Sequence, residues 1–346
     1  MIIYILIIAG LILHHASFRM SGISQYYISK DGTDAVRGIF ILLIMASHFT
    51  QYITAYPLPA DVFYMRLRTF LGQFVVCMFL FYSGYGVTLS FAEKGDVYRK
   101  QFPRKRILRT LLIFDLAVAF YYIVQHELGL SYSIRHYILT MLAWNSFGNS
   151  NWYIFVILGL YCISYLTALS SESKNGKQIV LKIMVGVMVF TELLLCAGKE
   201  EWWYNILFCY PLGAAFYYLR PAVEDFARKP QRYFSCFLTV LAAFLLIHKV
   251  WKHHLFFYET DALLFTALVT LTTMKVEIKS PVLKLAGRRL FELFLVHRIP
   301  MILLGHVPFI KARVYLYFTF SMLFAFVCAV FFKRLVDLMS GKSRKG

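Results

Sequence analysis

Eleven long apolar runs constrain the fold of this chain more than any other feature of its sequence. A helix needs roughly 20 mostly apolar residues to cross a bilayer, so each run predicts a transmembrane helix. The expected fold class is therefore an all-α polytopic membrane protein with about eleven membrane-spanning helices. The runs occupy residues 2–18, 36–56, 70–92, 107–125, 152–170, 179–197, 204–219, 233–250, 258–274, 290–304 and 314–333.

The composition excludes the main soluble alternatives. Hydrophobic residues make up 60% of the chain and charged residues only 16%, whereas a soluble domain carries about a quarter charged residues. The six cysteines all lie in or beside apolar runs and form no C-x-x-C pair. This favours buried small hydrophobes over a disulfide framework or a zinc site, so no metal site is expected.

The basic residues lie in short segments between the apolar runs and set the expected orientation. A net charge of +18 would suggest a nucleic-acid partner in a soluble protein. In a membrane protein, basic loops are typical of the cytoplasmic side. The largest clusters are 94–109 with seven Lys and Arg, 275–289 with five and 333–345 with five. We therefore predict an outside N-terminus, a cytoplasmic C-terminus and no nucleic-acid partner.

Two ionisable residues share one face of the second run. Arg37 and His48 are eleven positions apart, a spacing that returns the side chain to within about 20° after a rise of about 16 Å. Charged groups inside a span usually face the bundle interior, where they pair or function. We expect Arg37 at the cytoplasmic mouth, His48 about half-way across, and Asp34 orienting the guanidinium of Arg37. The alternative is a structural histidine hydrogen-bonded inside the bundle.

The third and fourth runs add a small-residue motif and a basic motif. Ser83 and Tyr85 lie in the sequence S-G-Y-G, where small residues let a ligand or a neighbouring helix approach closely. Arg104, Arg106 and Arg109 crowd the start of the fourth run. Guanidinium groups match phosphate oxygens, so this cluster is a candidate phosphate site. Ordinary anchoring of a cytoplasmic loop is the alternative.

Two later runs carry polar or aromatic groups of interest. Trp152 and Tyr153 begin the fifth run, where an aromatic belt at the membrane interface is the simpler interpretation. His297 lies between Glu292 and Arg298 in an otherwise apolar stretch. It is either a structural histidine or part of a second polar site.

These elements, in this order, resemble the acyltransferase-3 family of integral-membrane acyltransferases, which includes bacterial O-acetylases of surface polysaccharides. The similarity covers about residues 34–334, or ten spans, the number usual in that family. The matching positions are Asp34, Arg37, Gly38 and His48, the run from Phe79 to Tyr85, Arg106 and Arg109, Trp152 and Tyr153, and Leu295, Val296 and His297.

The resemblance divides the chain into three parts. Residues 1–33 are expected to form an extra N-terminal transmembrane helix and a cytoplasmic linker, residues 34–334 the membrane acyltransferase domain, and residues 335–346 a basic cytoplasmic tail. The run at 2–18 lacks a basic n-region and a small-residue cleavage site. A retained helix is therefore a better interpretation than a secretory signal.

The resemblance also implies an activity, namely a membrane-bound O-acyltransferase of the bacterial cytoplasmic (inner) membrane. The donor would be cytosolic acyl-CoA, by default acetyl-CoA, with no permanently bound cofactor. The acceptor would be a hydroxyl of a cell-surface or lipid-linked glycan. His48 would act as general base, with transfer either direct or through an acyl-histidine. The implied catalytic residues are His48, Arg37 and Asp34, the CoA-binding residues Arg104, Arg106 and Arg109, and the substrate-binding residues Ser83, Tyr85, Trp152, Tyr153 and His297.

A secondary transporter or flippase for a lipid-linked glycan is the main alternative function, because it too would have about a dozen spans and buried charges. Transporters often show paired repeats or helices broken by Gly and Pro, and the sequence has no convincing pair. A non-catalytic subunit of a polysaccharide-export complex is a second alternative, which the Arg37 and His48 pair disfavours. The acceptor, the acyl group and the oligomeric state are left open.

Overall fold

The computed structural model describes residues 1–170, 175–250 and 254–341, and most of them are helical. Residues 342–346 of the predicted basic tail lie outside this range. Short helical turns lie at Thr50–Tyr52, Pro103–Leu108 and Glu201–Trp203, and two antiparallel strands are β1 (Ala16–Phe18) and β2 (Val276–Ile278). The helices are α1 (Ile2–His14), α2 (Lys30–Phe49), α3 (Asp61–Leu71), α4 (Phe74–Phe102), α5 (Arg109–Glu127), α6 (Ile134–Met141), α7 (Trp152–Ser170), α8 (Gly176–Cys196), α9 (Cys209–Arg228), α10 (Pro230–Val250), α11 (Leu255–Lys275), α12 (Pro281–Arg288), α13 (Leu290–Val296), α14 (Arg298–Gly305), α15 (Pro308–Lys311) and α16 (Val314–Met339).

Seven helical stretches of the described residues are long and apolar enough to cross a membrane. This confirms the predicted fold class, an all-α polytopic membrane protein. Three predicted runs fall on other helices: α1 has only 13 residues, α9 begins after the start of the run at 204–219, and α13 and α14 divide the run at 290–304. The seven stretches are Lys30–Tyr52, Phe74–Glu127, Trp152–Ser170, Gly176–Cys196, Pro230–Lys249, Leu255–Lys275 and Val314–Met339.

The longest stretch, Phe74–Glu127, contains two of the predicted runs and is not a straight rod. Gly95 interrupts α4 with φ +52° and ψ −136°, a left-handed conformation that glycine adopts without a steric penalty. Beyond it, residues Pro103–Leu108 form a single π-helical turn before α5 begins. Such π turns within α-helices often occur at functional sites. This one carries the predicted phosphate-binding arginines Arg104 and Arg106.

Residues 16–18, predicted as the end of the first transmembrane helix, form β1 instead. This strand pairs with β2 after α11, and Glu277 of β2 anchors the linker that follows β1. The Glu277 carboxylate accepts hydrogen bonds from Ser24 at 2.6 Å and Arg19 at 2.7 Å, and pairs with Lys279 at 2.7 Å. Hydrogen bonds from Lys279, Ser24 and Arg19 lower the pKa of Glu277 to about 2. Polar contacts between positions 253 and 258 residues apart are beyond what an apolar pattern can predict.

Glycines bring two pairs of helix backbones into direct contact. A methyl group at Gly38 of α2 would lie 1.8 Å from the Leu283 carbonyl oxygen of α12, and one at Gly287 of α12 would lie 1.8 Å from the Asp34 carbonyl oxygen. The same reciprocal arrangement joins α4 and α9 through Gly84 and Gly213. Small residues are the usual means of such close approach between membrane helices. The contact between α2 and α12 holds in place the first turns of α2, which carry Asp34 and Arg37.

Replacing Gly84 with alanine is expected to destabilise the protein by about 1–3 kcal/mol through overpacking. The added methyl group would lie 2.0 Å from the Tyr210 carbonyl oxygen, so α4 and α9 would have to separate. Gly86→Ala is the matched control, because nothing lies within 4 Å of the added atom. Thermal unfolding in detergent should show a lower Tm for Gly84→Ala alone. Equal Tm values for the two variants would contradict this packing.

Candidate active site

Two histidine rings, one from α2 and one from the junction of α13 and α14, form a hydrogen-bonded pair. Nδ1 of His48 lies 2.7 Å from Nε2 of His297, and the rings are 17° from parallel with centroids 5.0 Å apart. His297 is fully buried, whereas His48 is half-buried. His48 is therefore the more exposed ring of the pair.

The hydrogen bonds of His297 determine where the protons of the pair lie. Nδ1 of His297 is 2.9 Å from the Leu293 carbonyl oxygen and 3.0 Å from that of Phe294. Carbonyl oxygens only accept, so this nitrogen carries a proton, and Nε2 of a neutral ring is then an acceptor. No carboxylate pairs with either ring among the described residues, and a buried unpaired charge is costly. His48 therefore donates from Nδ1 and keeps a lone pair on Nε2.

His48 lies in the last turn of α2, further along the helix than the apolar run at 36–56 predicts. The helix begins at Lys30, where the Ser29 hydroxyl accepts a hydrogen bond from the Gly32 amide at 3.1 Å. This start is six residues before the apolar run, and the helix ends at Phe49 rather than at the end of the run. The helix begins earlier than the apolar pattern predicts because the side chain of Ser29 caps its N-terminus. The end of α2 that carries His48 is thus opposite to the end near Arg37.

Three polar side chains surround His48 at this end, and sequence analysis assigned none of them a role. Ser150 Oγ lies 3.5 Å from Nδ1 of His48. Arg298 donates from Nε to Ser150 Oγ at 3.1 Å and from Nη1 to Gln51 Oε1 at 2.9 Å. The signals were weak: Arg298 follows His297 in an apolar stretch, and Ser150 stands just before α7. Their proximity depends on contacts between distant parts of the chain.

The predicted partner of Arg37 lies beside it. Nη1 of Arg37 is 3.5 Å from Oδ1 of Asp34, and its guanidinium lies 5.1 Å from the centroid of the Tyr82 ring. Nε of Arg288 approaches the other carboxylate oxygen of Asp34 at 3.7 Å. Asp34 is buried and lies between two guanidinium groups. This arrangement orients Arg37 and shares its counter-ion with a second arginine.

A cavity of about 1040 Å³ opens beside the basic clusters. Its volume is at the upper end of the roughly 300–1,000 Å³ range of small-molecule sites. Four predicted residues line it: Ser83, Tyr153, Arg106 and Arg109. The lining also contains the cations Lys94, Lys105 and Lys333, together with Glu292, an acidic group that the sequence did not assign to a site.

The predicted arginine cluster extends over two adjoining cavities. Arg104 lines a second cavity of about 780 Å³, which shares Lys105 and Arg109 with the first. Arg106 donates from Nε to the Tyr98 hydroxyl at 3.1 Å. Within the part of the chain that the structure describes, Arg104, Arg106 and Arg109 form no ion pair. Exposed guanidinium groups without a carboxylate partner are available to bind an anion.

Phe294 links the larger cavity to the histidine pair. Its side chain lines the cavity, and its ring centroid lies 5.3 Å from that of Tyr153 and 6.3 Å from that of His297. The cavity lining does not itself include His48 or Arg37. The structure therefore brings the two predicted sites together across the aromatic rings of Phe294 and Tyr153.

Two predicted substrate-binding residues lie elsewhere. Tyr85 does not line the larger cavity; it accepts a hydrogen bond from Nη1 of Arg220 at 3.1 Å and packs against Phe216. It lies two positions after Ser83, and helix residues two apart do not face the same side. Trp152 is also absent from the cavity lining, but its ring lies 6.0 Å from the Tyr153 ring.

The fold and these sites define a multi-pass helical membrane protein in which aromatic rings connect a histidine pair to a cationic cavity. In comparisons with known families, a model described as an acyltransferase domain matches residues 30–334, nearly the whole chain. The chain therefore belongs to the acyltransferase-3 family, which supports an acyltransferase activity. The match begins at the first residue of α2 and leaves out α1. No curated protein and no solved structure matched the chain.

Proposed function

We propose that this protein is an O-acyltransferase that moves an acyl group from cytosolic acyl-CoA to a hydroxyl of a cell-surface or lipid-linked glycan. Acetyl is the first acyl group to test. The observation that supports this most strongly is the hydrogen-bonded pair of His48 and His297, which leaves a basic nitrogen on the more accessible ring. A neutral imidazole is the commonest general base near neutral pH.

In the proposed reaction, Nε2 of His48 accepts the proton of the acceptor hydroxyl. The hydroxyl oxygen attacks the thioester carbonyl, the carbon–sulfur bond breaks, and the thiolate of CoA leaves and takes up the proton from His48. His297 acts as a positioning residue, because its acceptor nitrogen holds the His48 proton on Nδ1. No co-reactant other than donor and acceptor is needed.

The cationic cavity supports the donor side of this proposal. Coenzyme A carries several phosphate charges, which Arg106 and Arg109 would bind at the mouth, with Arg104 beside them. The pantetheine arm would follow the apolar wall towards Phe294 and Tyr153, the rings next to the histidine pair. Arg37, held by Asp34, would guide the thioester.

The placement of the basic clusters supports the proposed orientation. The larger cavity is lined by Lys94, Arg106 and Lys333, and by Leu290 next to the cluster at 275–289. Two of the three largest basic clusters therefore line one cavity, and the third ends next to it, as the positive-inside bias expects of a cytoplasmic face. We place the protein in the bacterial inner membrane, with the acceptor approaching His48 from the opposite end.

The experiment that tests the proposed function is acyl transfer by the purified protein in detergent. Radiolabelled acetyl-CoA is supplied with a glycan acceptor, and both CoA release and acetylated product are measured. The wild type should transfer the label, and His48→Ala should not. Transport of a lipid-linked glycan without any CoA release would instead favour the flippase.

Replacing both Arg106 and Arg109 with glutamine is expected to raise the KM for acetyl-CoA at least tenfold with little change in kcat. Each hydrogen bond to a charged group contributes about 1.5–3 kcal/mol, and the phosphates lie away from the reacting bond. The KM for acetyl-pantetheine, which lacks the nucleotide phosphates, should not change. Arg99→Gln is the matched control, since Arg99 is already paired with Asp96 at 2.7 Å. An unchanged KM for acetyl-CoA in the double variant would mean that these arginines only anchor a cytoplasmic loop and do not bind the donor.

A further inference from the structure

Two arginines lie beside the histidine pair, at the end of α2 opposite to the cationic cavity. Arg298 of α14 contacts Ser150 and Gln51 as described above. Arg68 of α3 donates from Nε to the Ser47 hydroxyl at 3.0 Å. Both arginines are half-buried. Arg68, Ser150 and Arg298 belong to three separate segments of the chain that converge on the last turn of α2.

The partners of these two arginines are neutral. Within residues 1–170, 175–250 and 254–341, neither Arg298 nor Arg68 forms an ion pair, whereas Arg37 and Arg288 at the other end of α2 share Asp34. A partly buried charge in a membrane protein usually has a counter-ion. Guanidinium groups satisfied only by a hydroxyl and an amide retain N–H donors suited to carboxylate or phosphate oxygens.

The geometry places these charges next to the reacting group. A single hydroxyl, that of Ser150, separates Nε of Arg298 from Nδ1 of His48. Ser47, the partner of Arg68, directly precedes His48 in α2. Neither arginine lines the cationic cavity assigned to the donor. An anion bound here would therefore belong to the acceptor rather than to coenzyme A.

We propose that the acceptor is an anionic glycan, with a carboxylate or phosphate close to the hydroxyl that is acylated. Arg298 and Arg68 bind this anionic group and thereby present the neighbouring hydroxyl to Nε2 of His48. This inference rests on the proposed function for the identity of the reaction. It adds the chemical class of the acceptor, which neither the family nor the apolar pattern specifies.

The test is binding of three probes to the purified full-length protein in detergent, measured by isothermal titration calorimetry. The probes are a hyaluronan tetrasaccharide, which carries carboxylates, glucose 6-phosphate, which carries a phosphate, and chitotetraose, which is neutral. At least one anionic probe should bind about tenfold or more tightly than chitotetraose, consistent with one charged hydrogen-bond pair. Which anionic probe binds distinguishes carboxylate from phosphate.

The variants Arg298→Gln and Arg68→Gln should each lose this preference, and Arg298→Lys should keep part of it. Arg313→Gln is the matched control. The guanidinium of Arg313 lies 3.8 Å from the centroid of the Phe309 ring and contacts neither histidine of the pair. Equal affinity for charged and neutral probes, or a preference that survives in Arg298→Gln, would overturn the inference.

Failure of this inference differs from failure of the proposed function. If acetyl-CoA turnover depends on His48 but anionic probes are not preferred, the anionic acceptor is wrong and the acyltransferase activity is supported. If anion binding depends on Arg298 but no turnover depends on His48, the anion site is supported and the proposed reaction is wrong.

Discussion

His48→Ala is expected to lower the rate of acyl transfer by a factor of roughly 10²–10⁴, the usual contribution of a general base. The reason is that Nε2 of His48 is the ring nitrogen of the pair that keeps a lone pair and has no hydrogen-bond partner among the described residues. The effect should appear in kcat, whereas the affinity for acetyl-CoA should change little, because His48 does not line the cationic cavity that would bind the phosphates. Release of CoA from radiolabelled acetyl-CoA measures both quantities.

The control for this variant is His306→Ala. His306 also lies at a helix end and also bonds a backbone carbonyl oxygen, that of Ile302 at 2.8 Å, but it has no contact with His48. The activity of His306→Ala should remain within about twofold of the wild type, because the loss of one local hydrogen bond is a small change. If His48→Ala retains full transfer, the assignment of the base is wrong.

His297→Leu is expected to lower kcat by roughly 10²-fold or more, a loss of the size seen when the orienting partner of a catalytic histidine is removed. Without the acceptor at His297 Nε2, nothing fixes the His48 proton on Nδ1. A neutral His48 ring that carries its proton on Nε2 cannot accept the proton of the acceptor hydroxyl at that nitrogen. The Ser150 hydroxyl, 3.5 Å from Nδ1 of His48, is a poor replacement.

His297→Gln separates this positioning role from a purely structural one. The side-chain oxygen of glutamine can accept a hydrogen bond from Nδ1 of His48 in place of the imidazole nitrogen. We therefore expect His297→Gln to recover much of the activity that His297→Leu loses, with Tm values measured for both. Equal activity of the two variants at equal Tm would contradict the role given to His297.

Much of the fold could be predicted from the sequence, because the apolar runs are long and the basic segments between them are short. Most residues of each run are helical, and the runs at 70–92 and 107–125 lie on either side of the break at Gly95. The strand at 16–18 could not be predicted, because it depends on pairing with residues 276–278. The start of α2 at Lys30 was missed because a serine cap, not hydrophobicity, sets it.

The site was predictable where it depends on spacing along one helix. The pairing of Asp34 with Arg37 follows from a separation of three residues, and Arg106 and Arg109 do line one cavity. The contact of His48 with His297 joins positions 249 apart, and local spacing carries no such information. Tyr85 was grouped with Ser83 by adjacency in the motif, although the helix turns the two side chains to different surroundings.

The position of the protons in the histidine pair tests the central claim most directly. Nitrogen-15 NMR of histidine-labelled protein in nanodiscs, with the His48 signals identified by their loss in His48→Ala, distinguishes protonated from unprotonated ring nitrogens. We predict a protonated Nδ1 and an unprotonated Nε2 for His48 at neutral pH. A proton on Nε2 of His48 would leave no base to accept the hydroxyl proton and would contradict the proposed mechanism.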